Sequence, residues 1–150
     1  MMARDILLVE DNPQDEMLMT RTLNKISLGN RLEVVRDGQQ ALDFLRGEGE
    51  FTHRAGKPLP AVVLLDISLP RLSGLEVLER MRADPRTRLL PVVVMTSSDE
   101  DADRMLSYRN GANSFVHKPL DFSEFAETVA RLGVYWLATN QPPEVEGRSG

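Results

Sequence analysis

Short apolar runs recur along the chain and alternate with longer amphipathic segments. The runs have the length of buried strands and are rich in Val, Ile and Leu. They occupy residues 6–9, 32–35, 61–65 and 92–95, and a weaker fifth run occupies residues 114–117. Because the first four are mostly continuous rather than alternating, they predict strands of a parallel sheet that is covered on both faces.

Apolar residues between these runs fall at helical spacing. The first helical segment has Pro13 near its first turn and Gly29 as its stop signal. The five predicted helices are marked by Met19, Thr22, Leu23 and Ile26; Ala41, Leu42 and Leu45; Leu75, Leu78 and Met81; Ala102 and Met105; and Phe122, Phe125, Val129, Leu132 and Trp136. Five β-α units predict an α/β protein with a flavodoxin-like doubly wound (βα)5 fold. Its five-stranded parallel sheet has the order 2-1-3-4-5, with helices on both faces.

Two stretches depart from this regular alternation. Residues 47–60 contain three glycines and two prolines and are predicted to form an extended loop. Residues 141–150 contain the pair Pro142-Pro143, are polar, and are predicted to be a disordered tail. We therefore expect one domain over residues 1–140, without an attached output module.

Composition and charge exclude several classes of protein. The chain has no cysteine, which removes disulfide scaffolds, cysteine zinc sites and thiol nucleophiles. A net charge of -5 argues against a nucleic-acid-binding surface. No apolar stretch approaches the roughly 20 residues that cross a bilayer, and no export signal is visible. We expect a cytoplasmic protein that binds neither nucleic acid nor membrane.

Acidic residues directly follow two of the predicted strands. Glu10 and Asp11 follow the first strand and Asp66 follows the third, and these strand ends are neighbours in a parallel sheet. Three carboxylates brought together repel one another unless a cation compensates their charge. Oxygen ligands without a suitable His or Cys favour Mg2+, or Mn2+, over zinc. The pattern therefore predicts a magnesium site whose missing ligand is a phosphate oxygen.

Taken alone, any one of these acids is better explained as a helix cap or a solvated turn residue. The other strand ends add weight to the functional interpretation, because Thr96 ends the fourth strand and Lys118 follows the fifth. A hydroxyl and a cation on the same sheet edge can bind phosphoryl oxygens. The fitting nucleophile is then Asp66, which would form an acyl phosphate.

Four motifs, in chain order, resemble those of response-regulator receiver domains, the phosphorylatable modules of two-component signalling. The resemblance extends over residues 5–137, which is nearly the whole chain. Its motifs are Leu8-Val9-Glu10-Asp11-Asn12, Leu65-Asp66-Ile67-Ser68-Leu69-Pro70 with Gly74 four residues further on, Met95-Thr96-Ser97-Ser98, and Phe115-Val116-His117-Lys118-Pro119.

The resemblance implies a role for each acidic position. Glu10 and Asp11 would hold Mg2+, and Asp66 would both accept the phosphoryl group and ligate the metal. Ser68 would offer its backbone carbonyl as a further ligand. Glu10 stands where many members have Asp, and its longer arm can ligate directly or through water.

The resemblance also implies how the phosphoryl group is bound and read. Thr96 and Lys118 would bind its oxygens, and Phe115 would be the switch aromatic that moves inward when Thr96 is drawn to the phosphate. Phe115 is otherwise explained as a core residue. Ser68 and Ser98 occupy positions that tune self-dephosphorylation in the family, and such a domain catalyses only its own phosphorylation and dephosphorylation.

A narrower resemblance links the chain to stand-alone receivers paired with phytochrome-type histidine kinases. It rests on the enlarged loop at 47–60, the motif Gly111-Ala112-Asn113-Ser114-Phe115, the pair Asp121-Phe122 and a late tryptophan. The implied partner is a sensor histidine kinase that docks near the first helix and the loop after Lys118, with Met17 and Leu18 as contacts. We also expect a homodimer through helix 4, strand 5, helix 5 and the aromatic end Tyr135, Trp136 and Leu137.

Other functions stay open at this point. Within signalling, the chain can be a phosphorelay intermediate, a phosphate sink or a scaffold that is never phosphorylated. A flavodoxin-like FMN carrier shares the layout, but Glu10-Asp11-Asn12-Pro13 would repel the flavin phosphate. An Asp-dependent phosphohydrolase commonly has a second acid two residues beyond its nucleophile, where this chain has Ser68.

Overall fold

The protein is described here by a computed structural model that covers residues 5–26, 30–97 and 100–141. The strands are β1 Ile6–Val9, β2 Leu32–Val35, β3 Val62–Leu65, β4 Val92–Thr96 and β5 Ser114–His117. The helices are α1 Pro13–Lys25, α2 Gly38–Arg46, α3 Gly74–Ala83, α4 Asp101–Arg109 and α5 Phe122–Val134. A 3-10 helix, Gly49–Arg54, follows α2, and a π-helical turn, Tyr135–Thr139, extends α5. The five predicted β-α units are confirmed.

The five strands form one sheet in the order β2-β1-β3-β4-β5, with every neighbouring pair parallel. This is the predicted doubly wound arrangement. In the register, Val9 at the end of β1 pairs with Leu65 at the end of β3, so the residues that follow them emerge side by side. The carboxyl ends of β1, β3 and β4 therefore meet at one edge of the sheet, where doubly wound folds place their sites.

The side chains of alternate strand residues pack into two hydrophobic cores, one on each face of the sheet. Leu7 and Val9 of β1 belong to the core under α2 and α3, and Ile6 and Leu8 belong to the core under α1 and α5. This follows from the two-residue period of a strand, which sends successive side chains to opposite faces. Both faces are covered, which is why the strands have apolar residues at successive positions.

The helices begin at residues that satisfy their free backbone N–H groups. The Asn12 side chain accepts hydrogen bonds from the N–H groups of Gln14 and Asp15, and Pro13 occupies the first helical position of α1. Ser73 and Glu76 form a capping box at the start of α3. These caps place the first turns of both helices beside the carboxyl edge of the sheet.

The predicted loop at 47–60 is wrong in part, because residues 49–54 form a 3-10 helix. Its Phe51 ring meets Phe44 of α2 edge to face, with centroids 5.4 Å apart. Arg54 lies over the same Phe44 ring and donates a hydrogen bond to Asp5, 2.9 Å away. The 47–60 segment is thus attached to α2 and to the start of β1. It lies at the amino ends of the strands, opposite the acids at their carboxyl ends.

Helix α4 forms where it was predicted, but the residues that marked it do not face the core. Ala102 is exposed, and Met105 is 61% exposed. Among the described residues of α4 only Ser107 is buried, and its hydroxyl donates to the Asp103 carbonyl. Phe122, which marked the start of α5, is also exposed.

Several sequence features fall outside the described residues: the Gly29 stop signal, Ser98, and the predicted tail from Pro142 onward.

In the described part of the chain, every helix is too short or too polar to cross a bilayer.

Candidate functional site

The strand ends bring together side chains that are far apart in the sequence. The Glu10 N–H donates to the Val35 carbonyl at 3.0 Å, and the Asp66 N–H donates to the Val9 carbonyl at 3.2 Å. On the other side of β3, Lys118 donates its backbone N–H to the Thr96 carbonyl at 2.7 Å. The backbone ladder of the sheet thus extends one residue past the strands, and it fixes the Cα positions from which these side chains project.

Lys118 is the centre of the cluster. Its ammonium Nζ lies 2.6 Å from Glu10 Oε1, 2.9 Å from Asp66 Oδ2 and 2.9 Å from Asp15 Oδ2. An ammonium has three N–H donors, so all three are used. Lys118, Glu10 and Asp66 are buried. The contacts are charge-assisted hydrogen bonds inside the protein, which are stronger than their surface equivalents.

Backbone N–H groups hold the remaining carboxylate oxygens of the two buried acids. The Asn12 N–H donates to Glu10 Oε2 at 3.2 Å, and the Ser68 N–H donates to Asp66 Oδ1 at 3.0 Å. Ser68 is itself exposed. Each acid is therefore held between a backbone donor and the Lys118 ammonium, which gives its carboxylate a defined orientation.

Gly74 lets the first turn of α3 pack directly against the Asp66 backbone. A Cβ atom at Gly74 would lie 2.1 Å from the Asp66 carbonyl oxygen, and real Cβ atoms do not approach so closely. The Gly74 N–H donates to the Ile67 carbonyl at 2.9 Å. The glycine four residues after Pro70 thus has a physical reason, which is the close approach of a helix to the residue that bears the acid.

The charges in the cluster shift the pKa values of its members. Burial raises the pKa of Glu10 to about 7, and the negative charge of Asp66 adds to this, so that together they outweigh the hydrogen bond from Lys118. Burial by itself would lower the pKa of Lys118, but its contacts with Glu10 and Asp66 raise that pKa above its ordinary value. Lys118 is therefore an ammonium at neutral pH.

The acidic residues fit a hard divalent cation. Oxygen atoms of Glu10, Asp11 and Asp66 all lie within 4.8 Å of one another, and Asp11 is exposed whereas the other two are buried. With Asp15, the described residues place four carboxylates here, and the Lys118 ammonium contacts three of them. An excess of negative charge on oxygen ligands suits Mg2+ or Mn2+. The three acids predicted as metal ligands are thus brought together.

The predicted switch residues lie beside the cluster. Thr96 is buried at the end of β4. Phe115 in β5 is partly buried against the core under α2 and α3, and the Arg104 guanidinium of α4 lies 6.0 Å from its ring centroid. His117 is exposed and its Nε2 lies 3.0 Å from the Ser97 carbonyl oxygen, consistent with a solvated strand residue.

Asp15 was missed by sequence reasoning. Its carboxylate contacts Lys118, which lies 103 positions away in the chain. A signal for its placement was available, because Asn12-Pro13 is an N-cap followed by a first helical residue and puts Asp15 in the first turn of α1. An acid at that position is so commonly explained by the helix dipole that the sequence does not indicate its contact with Lys118.

Fold and site together define a class of protein: a doubly wound α/β domain with an acidic cluster and a lysine at the carboxyl edge of its sheet. The family model described as "Response regulator receiver domain" matches residues 6–130. The chain therefore belongs to the response regulator receiver domain family, the receivers of two-component signalling.

Two relatives match nearly the whole chain. A probable methanogenesis regulatory protein, FilR2 of Methanothrix harundinacea, is 43% identical over 139 residues, which is 92% of this chain and 86% of the relative. The response regulator Rcp1 of Synechocystis is 34% identical over 134 residues, which is 89% of each chain.

Solved structures agree with this assignment. The Mn2+-bound form of Rcp1 superposes with a TM-score of 0.87 at 33% identity, covering 93% of this chain and 99% of that one. The phosphorylated cyanobacterial phytochrome response regulator RcpA gives 0.88 at 33% identity, with 94% and 99% covered. The bacteriophytochrome response regulator RtBRR gives 0.75 at 45% identity, with 97% and 87% covered. The chain is a two-component response regulator receiver homologous to phytochrome-associated response regulators.

Proposed function

We propose that Asp66 is the phosphoacceptor of this receiver and that its phosphorylation changes a protein-interaction surface. The observation that carries the proposal is the Asp66 carboxylate itself, which lies 2.9 Å from the Lys118 ammonium and shares an oxygen cluster with Glu10 and Asp11. A receiver domain phosphorylated at a carboxylate needs a nucleophile, a cation site and a fixed positive charge at one place. These residues supply all three.

The proposed reaction transfers a phosphoryl group from a phosphohistidine to Asp66 and involves no oxidation or reduction. An Asp66 carboxylate oxygen attacks phosphorus, a new oxygen–phosphorus bond forms, and the bond from phosphorus to the donor nitrogen of a phosphohistidine breaks. The nitrogen keeps the electron pair, and the product on Asp66 is an acyl phosphate. Lys118 donates to a phosphoryl oxygen, as does the Thr96 hydroxyl, so the protein supplies positioning and electrostatics.

Mg2+ is the proposed cation, with Mn2+ able to replace it. Glu10, Asp11, Asp66 and the Ser68 backbone carbonyl would hold it, and the remaining ligands would be water and a phosphoryl oxygen. When bound, the ion neutralises carboxylate charge and the charge of the arriving phosphoryl group. Glu10 and Asp66 are already oriented by Lys118 and by backbone N–H groups, which supports their part in this set.

Thr96 and Phe115 are the proposed switch. Phosphorylation replaces the one negative charge of the Asp66 carboxylate with about two on the phosphoryl group. This added charge favours a conformation in which Thr96 moves toward the phosphoryl group and Phe115 follows it inward. Phe115 is only partly buried, and the Arg104 guanidinium of α4 lies 6.0 Å from its ring centroid. A movement of Phe115 would therefore reach the exposed apolar residues of α4, which are Met105, Leu106 and Tyr108.

The proposed partner of this receiver, which we take to be cytoplasmic, is a sensor histidine kinase, and the phytochrome-type kinases are the favoured group. Support comes from RcpA and RtBRR, whose descriptions name a phytochrome or bacteriophytochrome. The docking surface would combine Met17 of α1 with Leu120, which lies in the loop after Lys118. The Leu120 side chain is 96% exposed. Leu18, the second predicted contact, is partly buried against the core under α1 and α5 and so offers less surface than Met17 does.

Phosphotransfer kinetics test the kinase group. A purified phytochrome-type histidine kinase, phosphorylated beforehand, should transfer its phosphoryl group to this receiver at least about tenfold faster than an unrelated histidine kinase does, since cognate docking is a difference of affinities. Equal rates from both kinases would defeat the phytochrome pairing and leave Asp66 as the acceptor. Adding a second histidine protein to the phosphorylated receiver separates a relay, which passes the phosphoryl group on to that protein, from a phosphate sink, which does not.

We also propose a homodimer through α4, β5, α5 and the residues that follow α5. Val134 and Tyr135 are about half exposed, as is Tyr108, whereas Trp136 and Leu137 pack against the core under α1 and α5. Only part of the aromatic end therefore needs a partner. Val134→Glu should reduce the solution mass to that of a monomer, and Leu89→Glu, at an exposed site between α3 and β4, should not. A parent that is monomeric with and without phosphorylation would end this part of the proposal.

Phosphorylation itself is tested with a small-molecule donor. The parent, incubated with acetyl phosphate and Mg2+, should gain one phosphoryl group in an intact mass spectrum, and it should gain none when Mg2+ is chelated before the donor is added. Asp66→Asn should gain none. Asp121→Asn, which changes an exposed helix cap, is the matched control and should behave as the parent does. Failure of the parent to gain mass, or an equal gain on Asp66→Asn, would overturn the proposed function.

A further inference from the structure

Lys118 has one partner whose task in the proposed reaction is unassigned. Asp15 lies in the first turn of α1, and its Oδ2 accepts a hydrogen bond from Lys118 Nζ at 2.9 Å. Its backbone is fixed, because the Asp15 N–H donates to the Asn12 side chain at 3.1 Å. The Asp15 side chain is 20% exposed. It therefore lies between solvent and the buried ammonium, at the rim of the pocket that Glu10, Asp15 and Asp66 form around Lys118 Nζ.

The other two partners of Lys118 change their bonding when the proposed function operates. Asp66 becomes an acyl phosphate and loses its charge at the attacking oxygen. Glu10 is a proposed metal ligand, so its carboxylate is drawn toward a cation. Asp15 alone is neither modified nor among the three acids grouped within 4.8 Å. It is the contact that can persist while the other two are exchanged.

We propose that Asp15 is a positioning residue that keeps the Lys118 ammonium in the pocket while Glu10 and Asp66 turn to the metal and the phosphoryl group. This inference rests on the proposed function. With one N–H held by Asp15, Lys118 has two donors left, and at least one of them can reach a phosphoryl oxygen. Without Asp15, the long side chain regains its rotamer freedom at the moment when its other partners leave.

Long-range electrostatics alone predicts the opposite effect on the phosphorylation rate when Asp15 is removed. A negative charge at the rim repels an anionic phosphoryl donor, so its removal would speed phosphorylation. Glu16 offers a matched control, since it is the other acid of the first turn of α1 and its side chain is 21% exposed. Glu16 contacts Arg36 rather than Lys118. Both acids have the same relation to the helix dipole, so the two variants differ mainly in the contact with Lys118.

The first experiment measures phosphorylation by acetyl phosphate at increasing Mg2+. Asp15→Ala should lower the rate constant at saturating Mg2+ by about tenfold, the order expected for loss of a charged hydrogen bond, with little change in the half-saturating Mg2+ concentration. Glu16→Ala should react at the parent rate or faster. Asp15→Glu keeps the carboxylate and should recover most of the rate. Equal or faster phosphorylation of Asp15→Ala would overturn the positioning role.

The second experiment reads Lys118 directly and needs no phosphorylation. The chain has three lysines, of which Lys25 and Lys57 are exposed. Reductive methylation with Mg2+ present, read by peptide mass, should modify Lys118 slowly relative to the other two in the parent and in Glu16→Ala. It should modify Lys118 several-fold faster in Asp15→Ala. Equal protection of Lys118 in both variants would overturn the inference, even if Asp15→Ala were phosphorylated slowly.

The two failures are distinguishable. A parent that takes no phosphoryl group defeats the proposed function, whereas a phosphorylated parent with unaltered Asp15 variants defeats only the role of Asp15. Thermal unfolding of each variant shows whether it is folded, and Asp15→Asn, which removes the charge at nearly the same size, replaces Asp15→Ala if the latter is not. A rate that Asp15→Glu fails to recover, with Lys118 still protected in that variant, would contradict the role.

Discussion

The Lys118 ammonium lies 2.6 Å from the Glu10 carboxylate, although the two residues are 108 positions apart in the chain. Both side chains are buried, and Asp66 lies on the same ammonium. Two carboxylates sharing one cation inside a protein leave negative charge uncompensated. Testable consequences for pH dependence, stability and metal binding arise from this one contact.

The stability of the metal-free protein should fall as pH rises toward neutrality. The pKa of Glu10 is raised from 4.5 to about 7, so the folded state holds a proton there that the unfolded state releases. This contribution is fully present below the unfolded pKa and is lost as pH rises through the folded pKa. Urea unfolding in EDTA should show the parent losing on the order of 2 kcal/mol between about pH 5 and about pH 8 relative to Glu10→Gln.

The difference between parent and Glu10→Gln is the informative quantity, because other titrating groups contribute to both proteins. Added Mg2+ should displace the Glu10 proton and reduce the pH dependence of the parent. Parallel stability curves for the two proteins in EDTA would contradict a raised Glu10 pKa.

Removal of the ammonium should destabilise the metal-free protein, and Mg2+ should restore part of the loss. Lys118→Met leaves the buried Glu10 and Asp66 carboxylates without their cation, which costs about 3 kcal/mol in comparable buried pairs. Urea midpoints with and without Mg2+ measure the effect.

Arg54→Met is the control for the ammonium, since Arg54 also makes an ion pair of low exposure, with Asp5, but at the opposite edge of the sheet. It should lose stability that Mg2+ does not restore. Equal Mg2+ effects on the two variants would indicate that the ion acts elsewhere than at the Lys118 cluster.

Gly74→Ala should destabilise the protein by about 2 to 3 kcal/mol, since the new methyl group would force α3 away from the Asp66 backbone. Gly56→Ala is a matched change at a glycine with φ of +80° and no atoms near its Cβ position. It should cost only about 1 kcal/mol, from backbone strain alone. Thermal or urea unfolding compares them, and an equal cost at both sites would argue against the close contact at Gly74.

Arg71→Gly should stabilise the protein by about 0.5 to 1 kcal/mol. Arg71 has a φ of +68°, a left-handed conformation that costs a residue with a side chain about 1 kcal/mol or more. Its ion pair with Asp37 spans 3.6 Å and joins a mostly exposed guanidinium to a partly buried carboxylate, so it contributes a few tenths of a kcal/mol at most, by the order typical of surface pairs. Arg71→Ala removes the same ion pair while keeping the strain, so it should be neutral or slightly destabilising. A stabilising Arg71→Ala would show that strain is not the cause.

The five strands, their order and the convergence of Glu10, Asp66, Thr96 and Lys118 at one edge were predictable because each depends on local pattern plus a general rule of parallel sheets. The contact between Asp15 and Lys118 was not. It requires the exact packing of the first turn of α1 against the loop after β5, and an acid in a first helical turn already has a sufficient local explanation.

Segments with competing local signals were also predicted incompletely. Glycines and polar residues surround residues 49–54 in the sequence, yet these residues form a 3-10 helix. The helix is held because Phe51 packs on Phe44 and Arg54 contacts both Phe44 and Asp5. Met105 has the spacing of a core residue in α4 but is exposed. In both cases, the conformation or burial of the segment depends on contacts with residues that are distant in the sequence. Local spacing carries no information about those contacts.

The most direct test of Asp66 as phosphoacceptor is to map the modified residue. Borohydride reduces an acyl phosphate to an alcohol and converts a phosphorylated aspartate to homoserine, which peptide mass spectrometry locates. After treatment with acetyl phosphate and Mg2+, the parent should carry homoserine at position 66, with Glu10, Asp11 and Asp15 unchanged. Reduction at any of those three acids in place of Asp66, or none at all in protein that has gained a phosphoryl group, would contradict the account.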